Sequence, residues 1–522
     1  MASATLLQTG GDDSSSEGEA IDPDVEVLIV GAGVSGIGMA CHLTRENPGT
    51  RYEIIEARAS LGGTWDLFTY PGIRSDSDLY TFGFEFKPWK SNQSIAEGHL
   101  IKAYLQEAVD EYDVERHITF GQRVVGAEWD SPTSLWTVTI AHVGDDGAPT
   151  DDTFTRTCRW LQMCSGYYSY SEPYRPEFPG EADFAGRIEH PQFWPDDLQT
   201  EEQLANKRVV VIGSGATAIT LIPALTKLGA TVTMLQRTPT WIFPAPATNP
   251  IASVLRRILP EERAYAAVRK INAWRTEVAY TTSRTKPEKL KKFLNKAIDK
   301  HTGDDFPLER DPHFTPPYDP WDQRLCLSPD GDFFAAIKAG DATVVTDEID
   351  TFDADGIVLR SGDRLDADII VTATGLSLLA LGGVSPVVDG EVVDIAKIFT
   401  YKGFMYSGVP NLGTVFGYIN ASWTLRADLV AKYVCRILQQ MDAHRSTRVV
   451  PVAPESLPER PYITDFPAGY MQRKVHEFPK QSDRDPWTAS QSYKHDKNVL
   501  LAADAEIDDG VLEFSTPVSA NT

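Results

Sequence analysis

VEVLIVGAGVSG, residues 25–36, and RVVVIGSGATA, residues 208–218, carry the same pattern twice in one chain. In each, a short β-branched run ends in a glycine-rich turn and an apolar-periodic segment follows. An apolar run of this length bounded by glycine predicts a strand buried on both faces of a parallel sheet. The periodic segments, through Leu43 and over 219–229, predict helices, and YEIIEA (52–57) and TVTMLQR (231–237) predict the strands that follow. The fold class expected is α/β, with two Rossmann-like dinucleotide-binding domains.

In the first turn Gly31 permits the tight bend, Gly33 lets the backbone approach a pyrophosphate, and Gly36 lets helix and strand pack closely. N–H groups at the helix start then hold the phosphates without a basic side chain. Glu56 stands 20 residues beyond Gly36, where a carboxylate accepts hydrogen bonds from a ribose 2′-hydroxyl. The second turn keeps Gly213 and Gly215, followed by Thr217, and has Ala218 at the third glycine, a replacement the fingerprint tolerates. Arg237 occupies the place that Glu56 holds in the first unit. A carboxylate there would repel a 2′-phosphate, whereas a guanidinium grips it, so the second site is expected to prefer NADPH over NADH. Opposite ribose chemistry predicts two cofactors: FAD bound at the first site and NADPH as diffusible hydride donor at the second. GGTW (62–65) supports the flavin, because paired glycines before Thr64 and Trp65 let the backbone around Gly63 come close to it.

The chain has 522 residues, enough for two to four domains at roughly 100–200 residues each. With 42% hydrophobic and 24% charged residues it is not a disordered, collagenous or coiled-coil protein. The net charge of −25 argues against nucleic-acid binding, which needs a basic footprint. Five scattered cysteines with no CxxC or CxxxxC spacing make no disulfide framework and exclude a dithiol reductase. No metal site is expected. The first residues lack a signal pattern and no stretch approaches the ~18 apolar residues of a span, so a soluble, cytoplasmic protein without an integral membrane segment is expected. The organisation expected is a disordered tail over 1–21 and the first part of the FAD domain over 22–166. An NADP domain follows over 167–395, with an Arg- and Lys-rich helical insertion at about 245–310. The chain then returns to the FAD domain over 396–500 and ends in an acidic tail over 501–522. Strands at 136–140 and 159–166 are expected to complete the first sheet, and one within 366–375 parallels the latter in the second unit.

FAGRIEHPQFWP (184–195) fits the pattern FxGxxxHxxxWP at Phe184, Gly186, His190, Trp194 and Pro195, between the two glycine-rich turns. In this it resembles the type I Baeyer–Villiger monooxygenases. GGTWDLFTYPGIRSDSD (62–78), GSGATA (213–218), YDPWDQRLCL (318–327) and GYINASWTL (417–425) look like the bacterial ethionamide-activating subgroup, over roughly residues 24–515. The resemblance implies a FAD domain and an NADP domain with a helical insertion. Arg324 matches the family's active-site arginine, and Asp76 the carboxylate that pairs with it. It further implies that reduced FAD and O₂ form a C4a-peroxyflavin whose deprotonated form attacks a ketone, giving esters or lactones. Both that anion and the tetrahedral intermediate are best stabilised by a fixed cation in a dry site. Arginine stays charged where a buried lysine need not, and Asp76 would orient it and offset its burial. The partners implied are O₂ and a small-molecule ketone or sulfide, with sulfoxidation as a second activity. By resemblance His190 couples NADP binding to domain motion rather than transferring protons, and Asn420 and Trp423 line the pocket. Gln323 departs from the pattern, since many relatives have a lysine there that helps hold the 2′-phosphate, which shifts that task to Arg237. Two other readings stand beside this one: a flavin monooxygenase restricted to soft N or S nucleophiles, and a redox-sensing module with vestigial sites.

Overall fold

The computed structural model describes residues 22–464, 466–501, 507 and 510–516, so the expected tail over 1–21 lies outside the described residues. Strand β1 (Val25–Val30) leads through helix α1 (Val34–Glu46) to β2 (Tyr52–Ile55). Val27, Leu28 and Ile29 are fully buried, as a parallel strand covered on both faces requires. Two single turns, α2 (Thr64–Leu67) and α3 (Leu79–Phe82), precede helix α4 (Gly98–Glu111), which packs on α1. Strands β3 (Ile118–Thr119), β4 (Gln122–Asp130), β5 (Leu135–Val143) and β6 (Pro149–Met163) follow. The long β6 pairs antiparallel with β5 and parallel with β1, joining a meander to the nucleotide-binding half of the sheet.

The second unit begins earlier than its glycine-rich turn. Strand β7 (Arg187–Glu189), taken from the FAGRIEHPQFWP stretch, forms one edge of the second sheet. After the single turn α5 (Glu201–Leu204) come β8 (Arg208–Ile212), α6 (Ala216–Lys227) and β9 (Thr231–Gln236). Strand β10 (Ile242–Ala245) then opens onto three consecutive helices, α7 (Pro250–Ile258), α8 (Glu261–Thr285) and α9 (Pro287–Thr302). Strand β11 (Cys326–Pro329) returns to pair with β10 and leads into α10 (Asp332–Ala339). Strand β12 (Ala342–Thr346), an antiparallel trio β13 (Ile349–Asp353), β14 (Gly356–Leu359) and β15 (Arg364–Asp366), and β16 (Ile369–Thr372) complete the unit. The main second sheet runs β12-β9-β8-β16-β7 and is parallel throughout.

Strands β17 (Pro386–Val388) and β18 (Glu391–Val392) rejoin the first sheet, β17 pairing with β4. That sheet runs β18-β17-β4-β5-β6-β1-β2-β3, with Leu412–Thr414 also pairing β6. The return therefore starts at Pro386, ahead of residue 396 where the sequence suggested it, because strands of two and three residues carry no readable period. Helix α11 (Trp423–Ala443) packs against α1. The stretch expected to be a C-terminal tail also departs from expectation: Leu512–Ser515 pairs antiparallel with Arg448–Pro451. Its alternating Leu512 and Phe514 pack on the first core, a two-residue period masked by acidic neighbours.

Candidate active site

The two glycine-rich turns have the geometry that backbone recognition of phosphate needs. Gly31 and Gly213 have φ of +103° and +129°, and a Cβ on them would lie 2.8 Å from the Cys164 carbonyl oxygen and 2.3 Å from that of Ala373. At Gly36 a Cβ would lie 1.9 Å from the Gly31 oxygen, so helix and turn can meet only there as glycine. Helices α1 and α6 start at Gly33 and Gly215 with no side chain capping their free N–H groups. A Cβ on Gly215 would meet nothing within 4 Å, which leaves open space at the helix start for an anionic ligand.

Glu56 directly follows β2 and is buried, its two carboxylate oxygens accepting from the Ala32 N–H (2.6 Å) and the Arg58 N–H (2.8 Å). Burial pushes its pKa up, against these two bonds. The first turn and the GGTW stretch touch, for the Gly33 and Gly63 backbones are close enough that a Cβ on Gly63 would lie 3.0 Å from the Gly33 Cα. Thr64 Oγ1 and the Tyr168 hydroxyl are 2.6 Å apart, and Trp65 packs edge-on against Phe82. Tyr70, on the loop of the first unit before Gly72, is buried against the core of the second unit close to Thr217. Ser214 in the turn donates to the Thr238 carbonyl (2.9 Å), which fixes the segment after β9 beside the phosphate turn. Arg237 on that segment is exposed and makes no ion pair among the described residues. These donor sets fit FAD at the first turn and NADP at the second.

Arg324 and Asp76 meet as expected, Nε donating to Oδ2 at 2.9 Å, with side chains 32% and 35% exposed. Burial opposes the charge on Arg324. The Asp76 carboxylate and the hydroxyls of Tyr167 and Tyr470 more than offset that, and the guanidinium pKa stands above its ordinary value. The Tyr167 hydroxyl lies beside the Arg324 guanidinium. Tyr167 stacks on Trp423 at 5.1 Å between ring centroids, and Trp423 Nε1 donates to Ser35 Oγ (2.8 Å) in the first glycine-rich turn. On its other side the loop bearing Asp76 rests on the second unit. A Cβ on Gly72 would lie 2.6 Å from Ala224 Cβ in α6, and Arg74 pairs with Asp332 in α10 at 2.5 Å. The pair thus sits in the crevice between the two glycine-rich turns.

The fingerprint residues build the wall of the second unit. Phe184 is buried beside Phe352, and a Cβ on Gly186 would lie 2.5 Å from the Phe184 ring and 2.6 Å from the Asp368 oxygen. Trp194 is a core aromatic whose Nε1 donates to the Leu198 carbonyl. Pro195 begins the turn over Asp196–Leu198. His190 Nδ1 accepts from the Gln192 N–H (3.1 Å), and burial lowers its pKa to about 4 against an opposing contact with the Tyr174 backbone. Gln192 in turn donates to the carbonyls of Ser169 and Tyr170, tying the fingerprint to the strand end of the first sheet. Asn420 lines a cavity of about 550 Å³ between α8 and residues 460–495, whose wall also holds Trp321, three residues before Arg324. Sequence reasoning missed Tyr167, Tyr168, Tyr170 and Tyr470. The run CSGYYSY (164–170) at the end of β6 was the available signal, since the carboxyl ends of parallel strands are where such crevices form.

Residues 25–263 match the family described as Pyridine nucleotide-disulphide oxidoreductase. The thiols do not suit redox exchange: all five cysteines are free and buried, and burial pushes Cys41, Cys164 and Cys326 up to about 12. The chain is 47% identical to the FAD-containing monooxygenase EthA of Mycobacterium tuberculosis, over 94% of this chain and 98% of that one. It is 45% identical to the probable FAD-binding monooxygenase AlmA of Acinetobacter baylyi, over 95% and 97%. Its fold resembles that of an oxidized steroid monooxygenase bound to NADP, with a TM-score of 0.72 at 22% identity, over 94% of this chain and 99% of that one. Relatives and fold agree: the chain belongs to the FAD-containing monooxygenases, in the group that includes EthA and AlmA.

Proposed function

We propose that this monooxygenase inserts an oxygen atom beside a ketone carbonyl, giving an ester or lactone. The balance is ketone, O₂, NADPH and a proton to ester, water and NADP⁺. FAD held at the first turn by the backbone around Gly31, Gly33 and Gly36, with Glu56 at its ribose, would supply the redox chemistry that links NADPH oxidation to O₂ reduction. The observation that carries the reading is the Arg324–Asp76 pair in the crevice between both turns, with Tyr167 and Tyr470 beside it. Negative charge develops on the substrate oxygen during insertion, and a cation held in place beforehand stabilises it without reorganisation. Asp76 orients the guanidinium from one side and Tyr167 from another, while the stacked Tyr167 and Trp423 rings keep water from that side of it. Arg237 holds the 2′-phosphate and so selects NADPH over NADH. Sulfides, which need no anion stabilisation, are a second substrate class at the same site. Domain boundaries follow the sheets, with 22–166 and 386–516 around the flavin and 187–372 around the coenzyme.

The test is Arg324→Ala. Flavin reduction by NADPH should persist, while ester formation falls by roughly 10²–10³, the cost of removing one preorganised donor. Ketone turnover at the unsubstituted rate would remove Arg324 from the mechanism, and retained sulfoxidation with no ketone oxidation in either form would favour the soft-nucleophile reading.

A further inference from the structure

Residues 250–302 differ from the rest of the molecule. They hold thirteen Lys and Arg against five Asp and Glu, a surplus of eight positive charges in a chain of net charge −25. Of nine large hydrophobic residues exposed among the described residues, five lie on these three helices. They are Val254 and Ile258 on α7, Trp274 and Val278 on α8, and Phe293 on α9; Trp274 and Ile258 are 64% and 70% exposed.

The helical period sorts these residues into faces. On α9, Lys289, Lys292, Phe293, Lys296 and Lys300 follow one another at i, i+3, i+4, i+7 and i+11, all exposed, so one phenylalanine sits among four ammonium groups. On α8, Arg263, Lys270, Trp274 and Val278 fall on one stripe, with Arg275 beside it. On α7, Val254, Arg257 and Ile258 share the outer face, while Ala252 is buried and Leu255 packs on the first core. None of these seven cations on α8 and α9, nor Arg257, makes an ion pair among the described residues, although carboxylates abound elsewhere on the surface.

We infer that the outer face of the α7–α9 insertion is a docking surface for an anionic phospholipid bilayer. Unpaired Lys and Arg meet the lipid phosphates, and the aromatic and aliphatic side chains among them enter the boundary between headgroups and acyl chains, as on an interfacial amphipathic helix. The strongly acidic remainder is repelled by the same surface, so charge alone fixes which side faces the lipid. No helix among the described residues is long and apolar enough to cross a membrane, so the contact is with the surface. The α8 stripe continues one turn beyond Trp274 and Val278 to Thr281, which lines the 550 Å³ cavity. An apolar molecule dissolved in the bilayer thus has a short path along α8 to that cavity. An acidic protein would satisfy the cations, but it gives no reason for apolar side chains to alternate with them on all three helices.

The test uses the full-length, FAD-loaded protein and sedimentation with phosphatidylcholine vesicles, with and without phosphatidylglycerol at about a third of the lipid. The protein should pellet with the anionic vesicles at low salt, stay in solution with neutral vesicles or with none, and be released as salt rises. Lys289→Glu/Lys292→Glu/Lys296→Glu should lower partitioning at least on the order of 10²-fold, the loss expected when three cations leave the surface. Trp274→Ser/Phe293→Ser should lower it as well, and both variants should keep FAD content, thermal stability and NADPH oxidation. Failure of the parent protein to bind anionic vesicles at low salt, or binding undiminished by the lysine substitutions, overturns the inference. So does self-association abolished by Trp274→Ser without any vesicle binding, which would assign the face to a second copy of the chain.

Discussion

Arg237→Gln separates the two nicotinamide coenzymes. The side chain is exposed, has no carboxylate to neutralise it among the described residues, and stands beside a turn anchored by the Ser214 hydroxyl. Removing the guanidinium should therefore cost little stability and disturb no internal pair. A charge-assisted hydrogen bond contributes about 1.5–3 kcal/mol, and exposure puts this one near the lower bound, because charges in open solvent are screened within about 8 Å at physiological salt. About 1.5–2 kcal/mol corresponds to roughly 10- to 30-fold in affinity at 1.4 kcal/mol per decade. The Michaelis constant for NADPH should rise by that factor with kcat unchanged, since the 2′-phosphate is bound equally before and during hydride transfer. NADH has no such phosphate and its kinetics should not change. Steady-state oxidation of both coenzymes at fixed saturating substrate reads the effect, and raising the salt should shrink it. Equal weakening of NADPH and NADH, or no change in either, would refute the placement of Arg237 at the 2′-phosphate.

Two further predictions concern the buried network under the helical insertion. Arg269 in α8, 8% exposed at its side chain, donates to the carbonyls of Tyr80, Thr81 and Gly83 and to the Asp428 carboxylate. Arg269→Met leaves three buried carbonyls without their donor and the Asp428 carboxylate with His42 as its remaining side-chain partner, and should destabilise the protein by about 3–5 kcal/mol, read by thermal unfolding; an unchanged Tm would refute it. His42 is fully buried between Asp428 (3.3 Å) and Glu46 (2.7 Å). Burial alone would lower its pKa, but those two acceptors prevail and raise it above 6.5. A raised folded pKa gives stability that is complete below 6.5 and lost as pH climbs through the higher value. The Tm deficit of His42→Gln should accordingly narrow as pH rises from 6 towards 9, and a widening deficit would refute the assignment.

The parts of this protein legible in its sequence are those where the backbone permits one residue type. Gly31 and Gly213 have left-handed φ, and Gly36 has a carbonyl where its side chain would be, so the two turns announce themselves. The pairing of Arg324 with Asp76 came through resemblance alone, since 248 residues separate them and no local period links a loop of one sheet to the approach of β11. The tyrosines that surround Arg324 were illegible for the same reason: Tyr167 and Tyr470 are 303 residues apart and are brought together by tertiary packing. Leu412–Thr414 finds β6 across the whole second unit with three residues of pattern, too few to separate strand from loop. His190 was read as a residue of the connector, and its segment also supplies the edge strand β7 through a parallel pairing with β16 that a three-residue stretch does not advertise.

The Asp76–Arg324 pair has one partner on each shore of the crevice: Asp76 on a loop of the flavin-side half, Arg324 at the start of β11 in the other. Any hinge that parts the two halves to exchange coenzyme also pulls this pair apart. On the proposed role of Arg324, the oriented cation would be complete only while both halves are docked, so a protein parted between turnovers would hold no finished oxidising centre.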